Sequence, residues 1–181
     1  MKYLEPSVFC ESNSPEIRRL ARRIVGKKKG RAAAVSIFNW VQKNVDYRIV
    51  PLVGASRILK RRPRKAMCLD KINLFVALCR AAGIPARYVI MKCDLKVKRK
   101  DLPKKAMHAA AEVKIKNRWV LADPSFSPRI SKLIHVPGFG GRSWSKVHSV
   151  KRSHSLGRGM GLMINLFIRL DAKVLKKEIG Q

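Results

Sequence analysis

Acidic residues are scarce: 11 Asp and Glu stand against 41 Lys and Arg in 181 residues, a net charge of +30. Pro124 to Leu170 contains no acid at all. An excess of this size decides nothing about fold but bears on partners. It reads either as a solvated basic surface or as a site for nucleic acid or another polyanion. The four cysteines (Cys10, Cys68, Cys79, Cys93) lack any CxxC spacing, and His135, His148 and His154 lack metal-ligand spacing, so no metal site and no cofactor are expected. The N-terminal MKYLEPSVFCESNS has no apolar stretch of the secretory kind. The longest apolar runs, such as Gly161 to Ile168 with Asn165 inside it, are too short for a transmembrane segment. Free thiols in a reducing, cytoplasmic setting follow as the expectation. The sequence sets no oligomeric state.

What is present is a globular composition, 46% apolar, enough for one domain with a real core. After an N-terminal segment, 1–13, Ser14 suits a helix N-cap, Pro15 the first turn and Gly26 the end. Ile17, Leu20, Ala21 and Ile24 fall on one face between them. A second helix is predicted from about Arg31 to Asn44 on Val35, Phe38, Val41 and Val45. A third starts at or just after Cys68, is apolar on most sides to Ala82, and stops at Gly83 and Pro85. The period then becomes extended: a strand over Arg87–Cys93, a basic loop over 94–105, and a hairpin of His108–Ile115 with Trp119–Ala122. Helices followed by an antiparallel sheet define an α+β fold. The domain is expected over 14–136, a basic Gly/Ser-rich loop over 137–161, and a C-terminal helix packed on the domain over 162–181.

Cys68 falls where a loop meets a helix N-terminus. Backbone dipoles there favour a thiolate, and the basic run Arg57–Lys65 acts in the same sense. The plainer reading is a small core hydrophobe. His108 opens a strand and shares its face with Ala110, Glu112 and Lys114; Trp119, Leu121 and Asp123 share one face of the next strand. A turn at Lys116-Asn117 pairs Ala110 with Asp123 and makes Asp123 the diagonal neighbour of His108, within side-chain reach. A turn at Asn117-Arg118 moves Asp123 opposite Glu112, out of reach. Taken singly, His108 also reads as a surface residue and Asp123-Pro124 as a strand-ending turn.

Three segments carry a resemblance. KAMCLDKINLFVALCRAAGIPARYV, HAAAEVKIKNRWVLADPS and, upstream, IFNWVQKNVDYRI are similar in order and spacing to the core of the transglutaminase-like superfamily, over about residues 14–127. The resemblance implies a papain-like core and a catalytic triad of Cys68, His108 and Asp123. It implies a thiol hydrolase or acyltransferase, of protease, amidase or transamidase type, acting on peptide or protein amides through a thioester. Catalytically silent members also exist, so a basic binding module is the alternative. Met67 stands where the family often has glycine, and Ala110 where it often has an aromatic; both positions touch the substrate channel. The Cys68 backbone N–H is a natural oxyanion donor. Tyr47 or Gln42 is a candidate second donor, with Tyr47 also readable as a packing aromatic. Trp144, among Arg142, Lys146 and Lys151, reads either as a stacking residue for a polyanion or as a packing residue.

Overall fold

The computed structural model describes residues 2–102, 104–157 and 159. Helix α1 (Pro15–Val25) is capped by Ser14, whose Oγ accepts from the Ile17 N–H at 3.3 Å. Ile17, Leu20, Ala21 and Val25 are its buried stripe. Helix α2 (Gly30–Asn44) buries Ala33, Ala34, Ile37, Phe38 and Val41. A short helix α3 (Ala55–Lys60), not expected from the sequence, overlaps the start of the basic run Arg57–Lys65. Strands β1 (Asp46–Tyr47) and β2 (Lys65–Ala66) pair in parallel, bringing the end of α2 beside the entrance to α4 (Cys68–Ala81).

Helix α4 packs on α1, α2, α3 and the sheet. It is buried almost throughout, and its polar residues are buried as well: Asp70, Lys71, Asn73 and Arg80. Each holds a neighbouring segment. Asp70 Oδ1 accepts from the Val53 N–H at 2.9 Å, and Lys71 Nζ donates to the Val45 carbonyl at 2.6 Å. Asn73 donates to the Phe9 carbonyl and accepts from the Tyr88 hydroxyl. Arg80 donates to the carbonyls of Glu5, Ala86 and His154. The helix is thus a mast to which loops are tied by hydrogen bonds, and such bonds are how polar and charged residues become tolerable in a core.

The main sheet runs β5-β4-β3-β6, all neighbours antiparallel: β3 is Ala86–Leu95, β4 Lys105–Ile115, β5 Arg118–Ala122 and β6 Trp144–Ser153. Two expectations change. The stretch 137–161, read as loop from its Gly, Ser and basic content, contains the ten-residue edge strand β6. Its side chains are exposed from Ser145 to Arg152, so it carries no alternation of apolar and polar residues by which to read it. The basic loop between β3 and β4 is also shorter than expected, because both strands extend into it. The helix expected over 162–181 lies outside the described residues.

The sheet has two apolar faces. Ala86, Tyr88, Ala109, Ala111, Val113 and Ala122 belong to the large core shared with the helices. Val89, Met91, Cys93, Ala110 and Trp144 form a smaller cluster. The alternation along β4 places His108 with Ala110, on the side of the smaller cluster.

Candidate active site

The hairpin register decides which side chains can meet. Ile115 pairs with Arg118, Val113 with Val120 and Ala111 with Ala122, so the turn is Lys116-Asn117. Lys116 takes the left-handed conformation that this tight reversal requires, with φ 54°. Continuing the ladder sets Asp123 beside Ala110 and diagonal to His108. The methyl of Ala110, fully buried, leaves the space between them open.

His108 Nε2 lies 3.2 Å from Asp123 Oδ2. Both residues are buried, His108 at 2% and Asp123 at 0% exposure. Nδ1 is the ring nitrogen that Asp123 does not engage, and the neighbouring Cys68 supports the positive charge of the imidazole. Burial pushes the His108 pKa down, but the Asp123 charge and hydrogen bond, with Cys68 assisting, carry it up to about 10. For Asp123, burial pushes upward. The His108 charge and hydrogen bonds from His108, Ser125 and Ser143 outweigh it and hold the carboxyl below its usual range. Both shifts favour a buried pair of imidazolium and carboxylate.

Further residues form the walls. Phe126 stacks on the His108 ring at 5.3 Å and 12°, and Trp144 lies against it at 5.5 Å. Tyr47 packs on Phe126 at 5.0 Å. Burial, then the nearby Cys68, raises the Tyr47 pKa far above that of a free phenol, so the hydroxyl keeps its proton as a donor. Of the two readings of Trp144, packing is what the structure shows: the residue is 4% exposed and seated on His108. Gln42 is held elsewhere. Its Nε2 donates to the Pro137 carbonyl at 2.9 Å, and Phe139 packs on Phe38, so α2 pins the chain that leads to Ser143 and Trp144.

Ser143 is the residue that sequence reasoning missed. Its Oγ donates to Asp123 Oδ2 at 2.6 Å and lies 3.2 Å from His108 Nε2, while its backbone N–H reaches the same carboxylate oxygen at 3.3 Å. A serine in a Gly/Ser/Arg-rich stretch, 20 residues beyond its partner, has no periodicity or motif to mark it.

The four cysteines are unpaired. Burial drives the thiols of Cys10 and Cys79 upward and that of Cys93 to about 11. Cys68 retains 8% exposure, whereas the other three have 1% or less. Among the described residues, no group of three or more His, Cys, Asp or Glu is arranged to hold a metal ion, and no helix is long and apolar enough to cross a membrane.

Helices packed on an antiparallel sheet in this order fit the α+β core of the papain-like thiol proteins. The sequence profile described as the transglutaminase-like superfamily matches residues 18–124, more than half the chain, and the chain belongs to that superfamily. No curated protein sequence matches it. Among solved structures, a candidate cysteine protease from Cytophaga hutchinsonii is 23% identical with a TM-score of 0.58 over 83% of this chain and 52% of that one. The periplasmic domain of TgpA from Pseudomonas aeruginosa, bound to ethylmercury, is 21% identical with a TM-score of 0.54, covering 70% of this chain and 49% of that one. A second structure of that domain gives 19% identity and 0.52 over 67% and 45%. These likenesses establish the fold; the chain spans about half the length of each structure.

Proposed function

We propose that the protein is a thiol acyl-transfer enzyme that cleaves or exchanges peptide or protein amides, with Cys68 as nucleophile, His108 as acid–base and Asp123 as the residue that orients the ring. The observation carrying this reading is a buried imidazole bonded to Asp123 through Nε2, with Cys68 near enough to support its positive charge. The Cys68 thiolate attacks the amide carbon and the carbonyl electrons move to oxygen. Collapse of the tetrahedral intermediate breaks the C–N bond, and the His108 imidazolium gives its proton to the departing amine. Water, or a second amine, then attacks the thioester and loses a proton to His108. The acyl product leaves, and the thiolate is restored. The Cys68 N–H at the start of α4 serves the oxyanion, with the Tyr47 hydroxyl as second donor. Gln42, one N–H of which is bound to Pro137, supports the site by anchoring the loop. Hydrolysis is the default outcome because water is always at hand.

The test uses peptide anilides and glutamine peptides, with and without an added primary amine. Acid quenching and intact mass should reveal an acyl adduct on Cys68 that hydroxylamine removes and that Cys68→Ala lacks. Turnover by Cys68→Ala equal to wild type would end this reading.

A second property has its own observation. Arg64 sits over the Trp40 ring at 5.7 Å, its Nε has no partner, and burial, then the like charges of Arg62 and Arg23, lower its pKa. This cluster supports a polyanion-binding role for the basic surface, with or without catalysis. Retention on heparin that weakens in Arg62→Ala/Arg64→Ala is the expected result; retention unchanged by the pair would refute it. The unpaired thiols support a cytoplasmic setting, although TgpA contributes a periplasmic domain. Fractionation of the native host settles that point by finding the chain in one compartment.

A further inference from the structure

We propose that Ser143 is a positioning residue for the thiol–imidazole pair: its hydroxyl bridges His108 and Asp123 and fixes the ring with Nε2–H toward the carboxylate and Nδ1 toward Cys68. The inference rests on the acyl-transfer reading above.

A serine hydroxyl has one hydrogen and two lone pairs. The 2.6 Å contact commits the hydrogen to Asp123 Oδ2. A lone pair therefore faces His108 Nε2, 3.2 Å away, and accepts from its N–H. The Nε2–H is thus shared between Asp123 Oδ2 and Ser143 Oγ, both at 3.2 Å. Two acceptors on the same side of the ring hold it against rotation and against the other tautomer better than one. The Ser143 N–H adds a backbone anchor to Oδ2, and the Ser125 N–H anchors Oδ1 at 3.3 Å, so the carboxylate cannot turn away.

The placement is built rather than incidental. Ser143 is fully buried, and the next residue, Trp144, packs on the same imidazole. Gln42 holds Pro137 and Phe38 packs on Phe139, so the loop arrives at the site under restraint from α2. The hydroxyl is also one of the bonds that keep Asp123 ionised. Its removal should make the carboxylate easier to protonate.

The experiment compares wild type, Ser143→Ala and Ser143→Thr. The rate of Cys68 alkylation by iodoacetamide is followed by peptide mass across pH 4 to 10, alongside urea unfolding. Ser143→Ala is expected to react about ten-fold more slowly near neutral pH, the order of one hydrogen bond to a charged group. The acid limb of its pH profile should move to higher pH. Ser143→Thr, which keeps the hydroxyl, should restore both. A residue that merely packs would change the unfolding midpoint and leave the acid limb in place. If Ser143→Ala does not fold, Ser143→Cys against Ser143→Thr makes the same comparison. Wild-type rate and acid limb in the variant lacking the hydroxyl would overturn the proposal. Wild-type Cys68 that reacts no faster than Cys10, Cys79 and Cys93 would instead overturn the acyl-transfer reading beneath it.

Discussion

Replacing Asp123 by Asn removes a charge and leaves the shape of the side chain. The amide oxygen can accept from the Ser143 donors on one side or from the Ser125 N–H on the other, not from both, so the side-chain shape persists while the attraction to His108 goes. The magnitude follows from the ring's pKa, about 10 against an ordinary 6.5. Each unit is worth about 1.4 kcal/mol, so the site favours the imidazolium by about 5 kcal/mol despite burial. Burial works against that charge, and the Asp123 charge and hydrogen bond are the largest forces for it. Without them burial prevails and His108 should titrate below 6.5. The sign for stability is fixed by linkage. A raised histidine pKa stabilises the fold fully below 6.5, and that stabilisation is lost as pH rises through about 10. Asp123→Asn should flatten that decline. Imidazole NMR titration reads the ring directly, and urea unfolding at several pH values reads the linkage. An Asp123→Asn protein whose His108 still titrates near 10 would refute the reasoning.

Lys71→Met tests the buried ammonium beneath the site. Burial lowers the Lys71 pKa from 10.5 to about 7, so the unfolded chain holds more protons between those values and wild-type stability gains as pH rises. The gap between wild type and Lys71→Met should change by up to about 4 kcal/mol from pH 7 to 10 in urea titrations, and a constant gap would remove the buried charge from the account. Arg80→Met strands three carbonyls that the guanidinium now serves, and should cost about 3 kcal/mol or more in urea unfolding; a loss below about 1 kcal/mol would show that those bonds are dispensable. Ser14→Ala removes the α1 cap and should cost about 1 kcal/mol by the same measurement, with no loss contradicting the cap.

How far the sequence could be read depended on where each signal was stored. The caps of α1, the apolar stripes of α1 and α2, and the Gly83 and Pro85 stop after α4, are local, and the structure has these helices within a residue or two of their expected ends. The hairpin register was open between two turns, because neither choice has a strong turn signature, and the structure takes Lys116-Asn117. Strand β6 was invisible for a different reason. An edge strand solvated on both sides needs no alternation, and its basic composition resembles a loop. The polar residues of α4 were legible only as departures from an apolar pattern. Their partners, at Phe9, Val45, Val53 and Glu5, lie far away in sequence. Ser143 belongs to the same category: its meaning comes from His108 on β4 and Asp123 just past β5.

Limiting iodoacetamide near neutral pH, with the modified peptides quantified by mass, tests the central claim most directly. Cys68 is the one cysteine placed at a helix N-terminus beside an imidazolium, while burial holds the other three thiols protonated. The account predicts that Cys68 is labelled well before Cys10, Cys79 and Cys93, and that His108→Ala abolishes the advantage. Equal labelling of the four thiols in the folded protein, or an advantage that survives His108→Ala, would contradict it.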